Sequence, residues 1–198
     1  MKDNELAQWS TLVSRAIANA MSSLSKMVGR DISVSSFGLR QTAVRDIAHL
    51  MGGPDTISVG VYLTVSGGAD GHMVLLYEPK MACGFVDMMM MQPPGTTKQL
   101  GDMEQSALGE LGNVVGTAFL NVIADSSGVT LMPSPPTVMT DMAGALVDII
   151  AADLLLAHDH AMIAETTFTT ADREISGMFF AVPSHSLFHL LQGAERAA

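Results

Sequence analysis

The chain has 198 residues, 48% hydrophobic and 15% charged, which supplies a core for one large domain or two small halves. A net charge of -10 and the lack of a basic stripe argue against a nucleic-acid partner, and leave a protein partner to offer a basic patch or short-range contacts. No apolar run reaches the roughly 18 residues of a spanning helix. The start, MKDNELAQW, lacks the apolar stretch of a signal peptide, and the single Cys83 excludes an internal disulfide and fits a reducing cytoplasm.

In chain order, the first periodic segment predicts a helix from about Glu5 to Val28, stopped by Gly29. A short strand at 32–35 and a helix near 41–51 follow, ended by Gly52-Gly53-Pro54. Strands at 57–65 and 72–77, joined by Gly67-Gly68-Ala69-Asp70, predict a hairpin. A helix at about 79–91 closes this half, with Cys83 as a buried structural thiol and Met88 to Met91 as adaptable core filling. Pro93-Pro94-Gly95 then breaks the chain.

The second half repeats the order: a helix at about 102–126 ended by Gly128, a strand at 129–132, and the run Pro133-Ser134-Pro135-Pro136. A helix at about 137–156, strands at 162–169 and 175–182, and a last helix from Pro183 to about Gln192 complete it. Gly29 and Gly128 are 99 residues apart; Gly71 and Gly177 are 106 apart, a difference that loops absorb cheaply. The expectation is one domain of two helix–strand–helix–hairpin–helix repeats, about 1–95 and 99–198. Two such repeats share a largely antiparallel sheet about a pseudo-two-fold axis, an α+β fold. His158 and His160 fall in a turn-like stretch, and no His/Cys cluster has metal-ligand spacing, so no metal site is expected.

On the helix at 102–126, a step of about 100° per residue places Ser106, Glu110 and Asn113 on one face. Leu108, Leu111, Val114, Val115, Ala118, Phe119 and Val122 occupy the opposite arc, so the polar trio points outward. An outward polar trio is by itself an ordinary solvated face. Gly109, Gly112 and Gly116 lie beside it, each costing about 1 kcal/mol relative to alanine in a helix. They imply a close backbone approach, by another helix or by a docked partner, and most simply by another helix.

The pattern Ser106-x-x-x-Glu110-x-x-Asn113, followed after 22 residues by Pro136, resembles the signature of the CheC/CheX/FliY phosphatases of chemotaxis. The stretches Gly71-His72-Met73, Asp141-Met142-Ala143-Gly144-Ala145 and Glu174-Ile175-Ser176-Gly177-Met178-Phe179-Phe180 resemble the CheC branch of that family. The resemblance implies a duplicated CheC-like fold and action on a phosphorylated CheY-like response regulator. Hydrolysis of the regulator's aspartyl phosphate is mostly a matter of positioning and charge stabilisation. Mg²⁺ is expected on the regulator, with no cofactor held by this chain. Asn113 is the candidate to hold the attacking water, since an amide both accepts and donates. Glu110 takes the family's role of contacting the regulator's lysine, Ser106 supports the face or the partner contact, and Pro136 fixes the adjacent loop.

The 99-residue offset brings Ala7, Thr11, Ser14 and Phe37 to the corresponding first-half positions. Neither the glutamate nor the asparagine is present there, so one active face is expected, in the second half. The alternative reading is an adaptor for the receptor deamidase CheD, docking on the helix at 137–156 through Asp141 and Asp148, about two turns apart. A flagellar switch component like FliY is a third reading, set aside because such proteins carry extra switch-binding segments.

Overall fold

The computed structural model describes residues 3–154, 160–171 and 174–183, and its elements follow the order read from the sequence apart from the corrections below. The helix expected at 183–192 lies outside the described residues. Helix α1 spans Asp3–Val28, and strand β1 spans Ser33–Ala43. A 3-10 turn (Val44–Asp46) and the short α2 (Ile47–Leu50) lead to β2 (Ile57–Gly67), β3 (Gly71–Tyr77) and α3 (Pro79–Met89). The second half runs α4 (Asp102–Ser127), β4 (Leu131–Pro133), β5 (Thr137–Met142), α5 (Ala143–Leu154), β6 (His160–Thr169) and β7 (Glu174–Pro183).

Local chemistry sets the helix ends. Gly29 and Gly128 stand just past α1 and α4 at φ +64° and +69°, a conformation that costs glycine nothing, and the Gly128 N–H donates to Ala124 O at 2.8 Å. At the start of α4 the Gly101 N–H donates to Glu104 Oε2 at 3.0 Å. Pro79 opens α3, where its missing N–H is no loss.

The strands form one antiparallel sheet in the order β1-β6-β7-β3-β2-β4, with β5 also on β2 beside β4. The two hairpins meet at its centre, where β3 pairs β7 from Gly71↔Pro183 to Leu76↔Met178. The outer strands cross over: β1 pairs β6 of the second half, and β4 and β5 pair β2 of the first. Val59, Val61, Leu63, Met73, Leu75 and Tyr77 face a core shared with α1, α3 and α4. Val74, Leu76 and Ile163 face a second core under α2 and α5. Because strand side chains alternate between faces, the unbroken apolar run Met73–Tyr77 is what a strand covered on both sides needs.

Two expectations are corrected. The helix expected at 41–51 is strand as far as Ala43, because β1 continues its pairing on β6 from Ser36↔Thr167 to Ala43↔His160. The helix expected at 137–156 begins only at Ala143. Thr137 to Met142 pair instead with β2, from Tyr62↔Thr137 to Ile57↔Met142, a use that suits the β-branched Thr137, Val138 and Thr140. The switch to helix comes where Ala143 N–H and Gly144 N–H donate to the carbonyls of Thr56 and Pro54 at 2.8 and 2.9 Å. These are two of the donors that a helix start leaves unpaired.

By length and composition α4 could cross a membrane, but 56% of its most apolar window is buried inside the protein. The methionine run divides as its burial dictates. Met88 is buried, Met89 and Met90 pack against the core, and Met91, just past α3 at φ +55°, is exposed. Cys83 is half-buried on α3, and burial together with the nearby Asp87 carboxylate pushes its thiol pKa up, keeping it protonated and a poor nucleophile.

Candidate functional site

Helix α4 presents Ser106 and Glu110 exposed and Asn113 half-buried on the face expected for them. Together with Asp102, Gln105, Gly109, Pro133 to Pro136 and Val138 they line an open groove of about 760 Å³. The Ser106 hydroxyl donates to Asp102 O at 2.8 Å, which engages it with its own helix. Among the described residues the side chains of Glu110 and Asn113 take no hydrogen bond. The Asn113 amide can therefore accept and donate toward a molecule in the groove. Asp102 and Glu110 bring carboxylates to the lining and, among the described residues, no Lys or Arg lines it, so the groove favours a cationic group of its occupant.

Pro136 forms the facing wall. A Cβ on Gly109 would stand 3.5 Å from Pro136 Cγ, and one on Gly112 would stand 3.7 Å from Pro136 Cβ and 2.5 Å from Val61 Cγ1. A Cβ on Gly116 would meet Met73 and Leu63 at 3.1 and 3.2 Å. The glycine stripe thus admits the sheet and the proline wall; the expectation that another helix causes the close approach is corrected. Ser134 to Pro136 separate β4 from β5, and the two prolines among them have no N–H for the ladder.

The structure thus gathers Ser106, Glu110, Asn113 and Pro136 around one groove. Asp141 and Asp148 do not share a helix. Asp141 lies on β5, where its Oδ1 accepts the Met142 N–H at 2.7 Å, and Asp148 lies on α5; both are exposed. In the first half, Ala7 belongs to α1, and Thr11 and Ser14 are exposed on the same helix. Phe37 sits within β1, paired with Thr166 and packed on the core, so among the described residues no proline wall faces α1 there. Asp102, Gln105 and Ser134 were not singled out in the sequence. Asp102 and Gln105 are one turn or less from Ser106, a proximity that helical periodicity does signal.

The mixed helix and antiparallel-sheet domain has the CheC-like class of architecture. Residues 103–140 match the CheC-like family. The CheY-P phosphatase CheC of Bacillus subtilis (strain 168) is 25% identical over 177 residues, 87% of this chain and 85% of that protein. The crystal structure of Thermotoga maritima FliY has the same fold, with TM-score 0.76 and 19% identity over 100% of this chain and 98% of that one. A chain of the CheX–CheY–BeF3–Mg²⁺ complex from Borrelia burgdorferi shares it at TM-score 0.56 and 15% identity, over 87% of this chain and 97% of that one. The chain is thus similar to CheC-like proteins across residues 103–140 and to the Bacillus subtilis protein along most of its length.

Proposed function

We propose that this protein speeds hydrolysis of the aspartyl phosphate of a CheY-like response regulator in chemotaxis, in the cytoplasm. The observation that carries the reading is the open groove, with Glu110 and Asn113 side by side and unengaged by the rest of the described chain. The Asn113 amide enters the regulator's site and holds a water in line with the leaving aspartyl oxygen. Glu110 draws in the regulator's lysine, as the negative groove favours, and the regulator brings its own Mg²⁺. The site works by positioning, which is what this reaction lacks most. The Bacillus subtilis relative named as a CheY-P phosphatase supports the substrate class.

The test is decay of a phosphorylated cognate regulator. Asn113→Ala is expected to slow the accelerated decay by about a hundredfold, toward the regulator's own rate. Glu110→Ala is expected to raise KM at least about tenfold, and Ser14→Ala to change nothing. A wild-type protein that leaves the decay unchanged overturns the reading, and a Ser14→Ala loss equal to that of Asn113→Ala overturns the single site.

A second reading, an adaptor for CheD, draws on the exposed Asp141, Asp148 and Ile149 on the opposite part of the second half. It predicts that charge reversal at Asp148 abolishes CheD binding and leaves regulator decay untouched.

A further inference from the structure

The groove's wall is held at its two ends by the pairing of β4 and β5 with β2, but main-chain donors within it are scarce. Of the four residues Pro133-Ser134-Pro135-Pro136, three lack an N–H, so Ser134 carries the segment's only main-chain donor. It uses that donor fully. The Ser134 N–H donates to Thr64 O at 2.8 Å, and the Thr64 N–H donates back to Ser134 Oγ at 3.0 Å. The Ser134 hydroxyl in turn donates to Pro135 O at 3.1 Å. The first bond continues the β2–β4 pairing one residue beyond Val65↔Pro133. The second closes a reciprocal pair between Thr64 and Ser134, and the third stays within the wall.

From this geometry we infer that Ser134 is the positioning residue of the site: it pins the proline wall to β2 and so sets the groove width that a docked regulator meets. The inference rests on the phosphatase reading given above. Pro136 stands against Gly109 and Gly112, on the same helix as Glu110 and Asn113. A wall released from Thr64 shifts relative to those side chains, and docking of the regulator weakens. The Thr64 amide, which would lose its acceptor, lies within β2 on the side that pairs β4.

The test compares steady-state dephosphorylation of the regulator by the full chain and its Ser134→Ala and Ser134→Thr variants. Ser134→Ala is expected to raise KM for the phosphorylated regulator about fivefold with kcat within about twofold. Ser134→Thr, which keeps the hydroxyl, is expected to stay near the wild-type KM. A role confined to stability would lower the active fraction, hence kcat, and leave KM alone; that result overturns the inference. Amide exchange at Thr64 in the unaltered protein is a check that needs no variant to fold: slow exchange is expected, and exchange at the rate of an unbonded amide overturns the clamp. If the wild type has no phosphatase activity the functional reading fails, and the Thr64 exchange still decides the clamp. If Asn113→Ala is impaired and Ser134→Ala keeps the wild-type KM, the clamp alone fails.

Discussion

At the scale of single residues, the glycines of α4 separate two effects that usually travel together. Replacing a helical glycine by alanine removes a propensity cost of about 1 kcal/mol. At Gly109 the new methyl would meet Pro136 at 3.5 Å, an ordinary contact. Gly109→Ala is therefore expected to be neutral or to stabilise by up to about 1 kcal/mol. At Gly112 the methyl would meet Val61 Cγ1 at 2.5 Å, and Val61 is fully buried and stiff at its branched Cβ. Overpacking of about 1–3 kcal/mol then outweighs the propensity gain. Gly112→Ala is expected to lower the denaturation midpoint where Gly109→Ala does not, and urea unfolding of the two variants decides it.

At the scale of elements, the segment that leads into α4 is tied down by one carboxylate. Asp87 is fully buried near the end of α3. Its oxygens accept the N–H groups of Gly95 at 2.6 Å, Thr96 at 3.1 Å and Thr97 at 2.7 Å. Burial by itself would raise the pKa, but hydrogen bonds from the Thr97 side chain and from the three amides outweigh it and hold the carboxyl below its ordinary value of 3.8. The sign of the pH dependence follows. A depressed folded pKa contributes stability that is complete above the ordinary carboxylate range and is lost as pH falls through the folded value. Asp87→Asn is expected to cost about 1–3 kcal/mol at neutral pH, with the gap to wild type closing below pH 3.8. Denaturant melts at the two pH values check both parts, and an equal gap at each would contradict the assignment. The break expected at Pro93-Pro94-Gly95 is thus a break in secondary structure but not a free linker.

At the scale of the whole molecule, the halves are interlaced. Among the described residues, strand β1 pairs only with β6, and β5 pairs only with β2. Cutting between the halves would leave β1, one side of β3 and the outer side of β2 without partners. Unpaired edges of that length invite aggregation. Residues 1–95 and 99–198 expressed separately are therefore expected to be insoluble or unfolded, with the intact chain melting in one transition. Two separately folding halves, seen as two transitions or as soluble, dispersed NMR spectra, would refute it.

The sequence by itself determined the long helices, their glycine stops, both hairpins, and the outward trio of Ser106, Glu110 and Asn113. These rest on local rules: helical periodicity, capping chemistry, and the alternation of a strand. Only the tertiary structure decided what becomes of 36–43 and 137–142. Those residues are strands because β6 and β2 offer edges for them to pair with, more than a hundred residues away for β1 and about eighty for β5. It likewise decided that the glycine stripe of α4 receives a strand and a proline wall where another helix was expected. Pro136 was legible as a distant partner of the trio, but the Ser134–Thr64 bonds that hold it there were not, because hydrogen bonds between distant residues leave no periodic trace in sequence.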